Sequence, residues 1–418
     1  MNSMVKKIKV KDKTFVFDGR NLSLYKLTDE NSLKELSNKE IETPYTRDYS
    51  NVNKLSRLTL NMSNKCNLNC KYCYANGGNY HRKDALMSKE AFEKIFNNLK
   101  ERNIKNIREV KFFGGEPLLN SELVKHILEK LDKNFNIDKY IIVTNGTLLS
   151  HDFVKFCMQY NCYFAISLDG PELINDFLRG NNTHNKILNN LNTCFEDKFK
   201  DRVQLLCTYT PYHLEKGYSK EKISEYFEEL GYIYNITKVG SSKEFFKFEK
   251  NTEELNTYDD INKSFDYILN NIKGKTVNPI VYEILLVIGH NQKSYYFCDE
   301  LNEKLNLSYD YNGDQYICYR FWGKENYKLD NNNYEEEYEK INNKKFKEKC
   351  KDCWGRYLCT ICPANVIEKA IDSEFGVFGN ECKKLKQYEH ALSKFCEIYC
   401  SGQGNTLIKN FNNFIRKS

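Results

Sequence analysis

From residue 57 onward the chain alternates between two hydrophobic periods. "RLTLNMS" (57–63), "EVKFFGG" (109–115), "KYIIVTNG" (139–146), "YFAISLDG" (163–170), "RVQLLCTYT" (202–210) and "YNITKVG" (234–240) are short, apolar and rich in β-branched and aromatic residues, and they read as six strands. Between them, "SKEAFEKIFNNLKE" (88–101), "SELVKHILEKLDK" (121–133), "SHDFVKFCMQY" (150–160), "HNKILNNLNTCFED" (184–197) and "SKEKISEYFEELG" (219–231) repeat apolar residues every three or four positions and read as helices, the first opened by Ser88. Six strands alternating with helices predict an α/β domain with a parallel sheet, either doubly wound or a partial, TIM-like (β/α)6 barrel. In both, ligands bind at the C-terminal ends of the strands.

The flanks read differently. "KIKVKDKTFVFDGRNLSLYKL" (7–27) has short alternating stretches broken by turn residues and predicts a small β-hairpin or meander. Residues 28–55 are polar, with a weak helical pattern near 30–38. Residues 259–290 read as helical. The stretch 323–349 is charged and poor in apolar residues, and predicts a solvated loop or helix. The expected organisation is a β-rich N-terminal element (1–55), the barrel (56–245), a helical bridge (246–295) and a cysteine-rich C-terminal domain (296–418).

Composition narrows the function classes. The chain of 418 residues is 40% hydrophobic and 29% charged, an ordinary composition for a soluble protein. Its formal net charge is +6, from 63 basic and 57 acidic residues mixed along the chain, which argues against a nucleic-acid partner. The longest apolar run, "IVYEILLVIG" (280–289), is short of the roughly 20 residues a membrane span needs. The N-terminus is basic without an apolar core segment, so no signal peptide is expected. The expected location is the cytoplasm, with no membrane partner. The 16 cysteines are then the anomaly; in a reducing compartment clustered cysteines serve as metal ligands or catalytic groups more often than as disulfides.

The rim of the expected barrel collects the candidate chemistry. "NKCNLNCKYCYANGGNY" (64–80) follows the first strand and places Cys66, Cys70 and Cys73 in a C-x3-C-x2-C array. "GGEP" (114–117), "TNGT" (144–147) and "SLDGP" (167–171) end the next three strands. Three thiolates fall short of the four ligands of a closed structural zinc site. On a cubane iron–sulfur cluster they leave one iron open for a small molecule. Zinc with a distant fourth ligand is the other reading.

With an aromatic, Tyr72, before its last cysteine, the triad resembles that of the radical S-adenosylmethionine enzymes. The resemblance implies that the open iron of a [4Fe–4S] cluster binds the amino and carboxylate groups of S-adenosylmethionine. Cleavage then gives methionine and a 5′-deoxyadenosyl radical that abstracts hydrogen. An external one-electron donor such as ferredoxin or flavodoxin is implied as a partner. "GGEP" resembles the strand-two motif that contacts the methionine amino group. The implied contacts are Gly114 and Gly115, whose lack of a side chain lets the backbone approach closely, and Glu116. Asn145, Ser167, Asp169 and Arg179 match positions that hold the ribose or the methionine carboxylate; an arginine fork suits a carboxylate.

The later cysteines resemble the SPASM extension, which carries two auxiliary cubane clusters in peptide-modifying radical enzymes. The resemblance spans about residues 57–390. It implies Cys298, Cys318 and Cys362 on one cluster and Cys350, Cys353, Cys359 and Cys382 on the other. "CTIC" (359–362) has one residue fewer between its cysteines than the usual pattern, and seven ligands stand where two full clusters take eight. Cys396 or Cys400 supplies the eighth, or an iron stays open; the plain alternative makes these two free cysteines on a C-terminal helix. Zinc knuckles are the rival reading of 350–362. Cys157, Cys162, Cys194 and Cys207 read as small apolar core residues.

The expected function is a peptide maturase that forms a thioether, of the sactionine or ranthipeptide kind, or a carbon–carbon crosslink. The N-terminal β segment resembles a shortened leader-peptide recognition element of ribosomal-peptide maturases, which implies a substrate whose leader segment adds to residues 7–27 as an edge strand. The alternatives are a sulfatase-type maturase making formylglycine and a non-catalytic electron-transfer or scaffold protein. The general base is not identified.

Overall fold

The computed structural model describes residues 4–27, 53–239, 250–272, 277–290, 293–298, 305–330, 334–343, 350, 352–360, 362, 364 and 383–415. Three strands open the chain: β1 (Val5–Val10), β2 (Lys13–Asp18) and β3 (Ser23–Lys26). Then come β4 (Lys54–Asn64), β5 (Ala85–Leu86), β6 (Asn106–Gly114), β7 (Asn136–Thr144), β8 (Cys162–Ser167), β9 (Val203–Tyr209) and β10 (Ile233–Lys238), and later β11 (Leu305–Tyr309) and β12 (Gln315–Tyr316). The chain forms two compact units that do not follow its order. One is Met1–Arg47, Glu249–Glu303 and Glu335–Ser418; the other is Asp48–Phe248 and Lys304–Tyr334.

The second unit is built on one sheet, in the order β10-β9-β8-β7-β6-β4-β11-β12, with β5 paired on β4. Strands β4, β6, β7, β8, β9 and β10 are mutually parallel and are the six expected from the sequence, as a partial (β/α)6 barrel. Leu58, Leu60 and Met62 of β4 are fully buried on one face. Thr59 and Asn61 alternate onto the other, inner face, as the two-residue period of a strand requires. The helices form where their signals stand: Ser88 accepts from the Ala91 amide at 3.1 Å to cap Lys89–Glu101, and Gly231, in the left-handed region at φ 73°, ends Lys220–Leu230. Low on the inner face, nearly buried Glu109 meets Arg57 at 2.5 Å and Lys139 at 3.4 Å.

Two elements of the second unit depart from the sequence reading. "PELINDFLRG" contains a helix, Glu172–Arg179, that buries Ile174 and Leu178; its eight residues are too few to show a helical period clearly. Residues 305–316, expected in a separate cysteine-rich domain, extend the barrel sheet instead, with β11 running parallel to β4. The β11–β12 turn is tied by Asp310, whose Oδ1 accepts from the Asn312 and Asp314 amides at 2.9 and 3.0 Å.

In the first unit, β1–β2–β3 form an antiparallel sheet. Its face of Ile8, Val10, Phe15 and Phe17 shares a core with Ile261, Phe265, Ile284, Leu285, Leu392, Phe395 and Phe411. These side chains come from helices Lys250–Leu269, Pro279–His290, Lys383–Cys400 and Gly404–Ile415. Within the stretch 323–349, helix Tyr334–Asn342 fully buries Tyr338, against the solvated character expected there. Tyr338 lies in the first unit, where Tyr296 donates to Glu339 at 2.6 Å. Among the described residues, no helix is long and apolar enough to cross a membrane.

Candidate functional site

The C-terminal end of β4 runs directly into the cysteine loop. The loop is pinned at its base, because β5 returns antiparallel and pairs Ser63 with Leu86 and Asn64 with Ala85. The Asn64 carboxamide donates to the carbonyls of Asn79 and Lys83 at 3.0 and 2.8 Å. Inside the loop the Cys73 amide donates to the Cys70 carbonyl at 3.0 Å, and the Gly78 amide to Ala75 at 3.0 Å. Cys66, Cys70 and Cys73 are all half-buried free thiols.

The glycine pair after β6 closes on this loop at contact distance. A Cβ on Gly115 would lie 2.2 Å from the Lys65 carbonyl oxygen, and one on Gly78 would lie 2.4 Å from the Gly115 Cα and 3.0 Å from the Cys66 Cβ. Such spacings exclude any side chain. The Gly115 amide donates to Ser63 at 2.7 Å and the Glu116 amide to Lys65 at 2.9 Å. The glycines thus hold the two loops together.

Loop three is joined by the Glu116 carboxylate. Fully buried, it accepts from the Leu118 amide (3.0 Å) and the Thr144 hydroxyl (2.7 Å) through Oε1, and from the Asn145 amide (2.8 Å) through Oε2. Burial pushes its pKa up to about 7 against the pull of these three donors. Asn145 donates to Asn67 Oδ1 at 2.9 Å and to Cys66 Sγ at 3.7 Å. Its Oδ1 accepts from the Thr147 hydroxyl at 2.7 Å, and Asn67 donates to the Thr147 Oγ1 at 2.9 Å. The Leu68 amide donates to Cys66 Sγ at 3.4 Å. Burial still drives the Cys66 thiol up to about 11.

Asp169, at the end of β8, organises the fourth loop. Its Oδ2 accepts from the Tyr72 hydroxyl (2.7 Å) and from Arg179 Nε (2.8 Å), and its Oδ1 from Arg179 Nη2 (3.1 Å) and the Thr208 amide (2.9 Å). Asp169 and Arg179 are buried. Burial opposes the charge of Arg179, but Asp169, Tyr72 and Cys70 hold the guanidinium well above its ordinary value. The Thr210 amide donates to His213 Nδ1 at 3.1 Å, which leaves Nε2–H to donate to the Asp169 carbonyl at 2.8 Å. The Lys71 amide also donates to the Leu178 carbonyl at 2.9 Å, tying the cysteine loop to the helix that carries Arg179.

The rim residues singled out in the sequence therefore sit together in one unit: the triad, Tyr72, Gly114, Gly115, Glu116, Asn145, Asp169 and Arg179, with half-buried Ser167 ending β8. Sequence reasoning passed over Asn67, Gly78, Thr144 and Thr147, which fasten the loops to one another. All four lie inside the quoted motifs, Asn67 and Gly78 in 64–80 and Thr144 and Thr147 in "TNGT", but as small residues with no reactive group to single them out. Cys157, Cys162, Cys194 and Cys207 are buried. In the first unit, the Cys353 amide donates to the Cys350 carbonyl at 3.4 Å and the Cys359 amide to the Gly355 carbonyl at 2.8 Å. Cys298 and Cys362 belong to the same unit and Cys318 to the second. Cys396 and Cys400 lie on helix Lys383–Cys400. Cys382 lies outside the described residues.

Three thiols are one short of a closed four-ligand zinc site and match a cubane cluster that keeps one iron open. Among the described residues, no three Cys, His, Asp or Glu side chains converge to hold one metal ion. In a cubane each thiolate binds its own iron, so the sulfurs need not meet at a point. The all-thiol donor set and the hydrogen bonds aimed at Cys66 Sγ fit that group.

Residues 60–230 match the family described as the Radical SAM superfamily. The radical SAM cyclopropyl synthase TigE of Paramaledivibacter caminithermalis is 31% identical over 153 residues, 32% of each chain. A cysteine-type anaerobic sulfatase-maturating enzyme of Clostridium novyi is 28% identical over 264 residues, 57% of this chain and 67% of that one. The chain spans 43% and 32% of the lengths of the two curated relatives that match it first. The solved structure of native anSMEcpe with bound AdoMet and Cp18Cys peptide superposes with a TM-score of 0.62 at 20% identity, over 86% of this chain and 99% of that one. At that identity the likeness establishes the shared fold.

Proposed function

We propose that this chain, whose residues 60–230 form a radical SAM domain, is a maturase that modifies a ribosomally made peptide by forming a thioether or carbon–carbon crosslink. One observation carries the reading: the three-cysteine loop closes on the Gly114–Gly115 loop at the C-terminal rim, with Gly78 and Gly115 in backbone contact. That is where a parallel α/β barrel binds its ligand.

When bound, a [4Fe–4S] cluster supplies the electron that splits S-adenosylmethionine into methionine and the radical that takes hydrogen from the peptide. Cys66, Cys70 and Cys73 would hold it as thiolates, having given up their protons. The Asn145 carboxamide and the Leu68 amide donate to Cys66 Sγ and fix its orientation. Gly114 and Gly115 would present bare backbone to the methionine end of S-adenosylmethionine. Ser167 and Asn145 would serve the ribose, Asn145 chiefly by position because its carboxamide already bonds Asn67, Thr147 and Cys66. Glu116 and Asp169 act chiefly by position, since both oxygens of each are already engaged within the protein. Arg179, fixed by Asp169, supplies positive charge beside Cys70. The later cysteines, Cys298, Cys318, Cys350, Cys353, Cys359, Cys362 and Cys382, are proposed to hold auxiliary clusters.

Peptide docking is proposed at the β3 edge. Among the described residues β3 pairs only with β2. Beside it lies a groove of about 660 Å³ lined by Phe15, Leu24, Val287, Phe395, Tyr399 and Ile408. An extended segment gains main-chain hydrogen bonds from an unpaired edge and side-chain contacts from such a groove.

Formylglycine formation is the second reading, favoured by the 28% identity to the sulfatase-maturating enzyme across 57% of this chain. Anaerobic turnover with the Cp18Cys peptide separates the two. Mass spectrometry showing formylglycine at its cysteine supports the second reading. An untouched Cp18Cys peptide, with a cysteine-bearing peptide encoded beside this chain losing two hydrogens, supports the first.

A further inference from the structure

Among the buried polar side-chain atoms of the second unit that find no hydrogen-bond partner among the described residues are Asn61 Oδ1 and Nδ2, Ser308 Oγ, Tyr316 OH and Trp322 Nε1. Asn61 and Tyr316 are 0% exposed, and Ser308 and Trp322 are 3% exposed. Strand register gathers them. Ser308 lies opposite Thr59 across the β4–β11 pair and opposite Tyr316 across β11–β12. Asn61 stands two residues beyond Thr59 and therefore on the same inner face. On its other side Asn61 is opposite Phe113, whose ring lies 6.0 Å from that of Trp322. A Cβ on Gly114 would fall 2.3 Å from Asn61 Oδ1, so the carboxamide borders the glycine loop of the candidate site.

Buried polar groups in native proteins are paired in the large majority of cases, and leaving one unpaired is costly. A row of such groups on neighbouring strands, beside a reaction site, is a surface made for a polar ligand. The donor inventory says which kind. Asn61 offers an acceptor and a donor side by side, the complement of a peptide amide. Ser308 and Tyr316 can donate or accept, and Trp322 only donates. None of the four is charged, and a carboxylate would set an anion against Asn61 Oδ1.

We propose that Asn61, Ser308, Tyr316 and Trp322 form a positioning subsite that takes a neutral main-chain amide of the substrate next to Gly114. The proposal rests on the reading of this chain as a peptide maturase, but its test needs no turnover. The reconstituted full chain is labelled with 5-fluorotryptophan. Its two tryptophans, Trp322 and Trp354, give two fluorine resonances, assigned with Trp354→Phe. The probe is N-acetylglycine N-methylamide, with N-acetylglycinate as the anionic control.

The expected result is a saturable shift of the Trp322 resonance with the amide and an unmoved Trp354. N-acetylglycinate should bind at least about tenfold more weakly, and Asn61→Leu should weaken the amide by about tenfold. Asn61→Leu should also raise Tm, because it removes an unpaired buried group; a purely structural asparagine would lower it. Should that variant fail to fold, Ser308→Ala is expected to weaken the amide severalfold. The proposal is overturned if the amide gives no saturable shift, if the anion binds equally well, or if both variants bind like the parent. Absence of 5′-deoxyadenosine formation would instead count against the maturase reading and leave this titration standing.

Discussion

Gly115→Ala is the sharpest perturbation of the rim. The added methyl would sit 2.2 Å from the Lys65 carbonyl oxygen, 2.5 Å from its carbon and 3.0 Å from the Gly78 Cα. All three neighbours are backbone, so none can turn aside as a side-chain tip would. Gly115 is not among the glycines of positive φ, so alanine meets no dihedral penalty there and the cost is steric. Overpacking of this kind costs about 1–3 kcal/mol, and contact with two backbone segments places Gly115→Ala near the top of that range. At roughly 2–4 °C per kcal/mol, the metal-free protein should lose about 4–12 °C in Tm. The displaced Lys65 carries Cys66 with it, so iron in the first cluster should fall as well. Gly289→Ala is the control: its Cβ would meet only Ile408, at an ordinary 3.8 Å, and in the last turn of helix Pro279–His290 the change should leave stability nearly unaltered. Differential scanning fluorimetry and iron analysis on both variants settle the matter. A Gly115→Ala protein with parental Tm and iron content would refute the claim that loop contact holds the cysteines in place.

Glu116 should make stability fall with rising pH. Its pKa is raised from 4.5 to about 7 in the folded protein, so the folded state holds the proton more tightly, and this contribution is full below about 4.5 and gone above about 7. Urea denaturation of the metal-free protein between pH 5 and 8 should show the slope, and Glu116→Gln should flatten it; equal slopes would remove the effect. Asp169→Asn leaves the buried Arg179 guanidinium without its counter-ion, and breaking such a pair costs about 3–5 kcal/mol. Denaturant midpoints measure that loss, and a change under 1 kcal/mol would contradict the ion-pair account. Leu24→Glu, in the groove beside β3, should raise the KM for a leader-bearing peptide while kcat holds, because it removes binding shared by ground and transition states. An unchanged KM would move recognition elsewhere. Removing residues 1–50 is a poorer test, since Ile8, Phe15 and Phe17 are part of that unit's core.

Much of the barrel was legible because its six strands are bounded by glycine or small polar residues and each of the first five is followed by a helix with its own period. The rim motifs were legible because they end those strands. Two things were not. "LNLSYDYNGDQY" joins the sheet beside β4 although some 240 residues separate them, a pairing that only register and burial decide. The roles of Glu116 and Asp169 were also hidden: the sequence marks them as polar rim residues, but only the structure shows each carboxylate already engaged by donors from neighbouring loops. Asn61 was invisible for the same reason, being one polar residue in an apolar strand whose missing partners appear only once the strands are assembled.

The most direct test of the central claim is 5′-deoxyadenosine formation by anaerobically reconstituted protein given S-adenosylmethionine and dithionite. The parent chain should release 5′-deoxyadenosine and methionine in equal amounts. Cys66→Ala, Cys70→Ala and Cys73→Ala should each abolish it with the fold intact, while Cys157→Ala, whose thiol is buried in the barrel core, should retain it. Release of 5′-deoxyadenosine by a variant lacking all three rim cysteines, or none from a parent chain loaded with iron, would contradict the account.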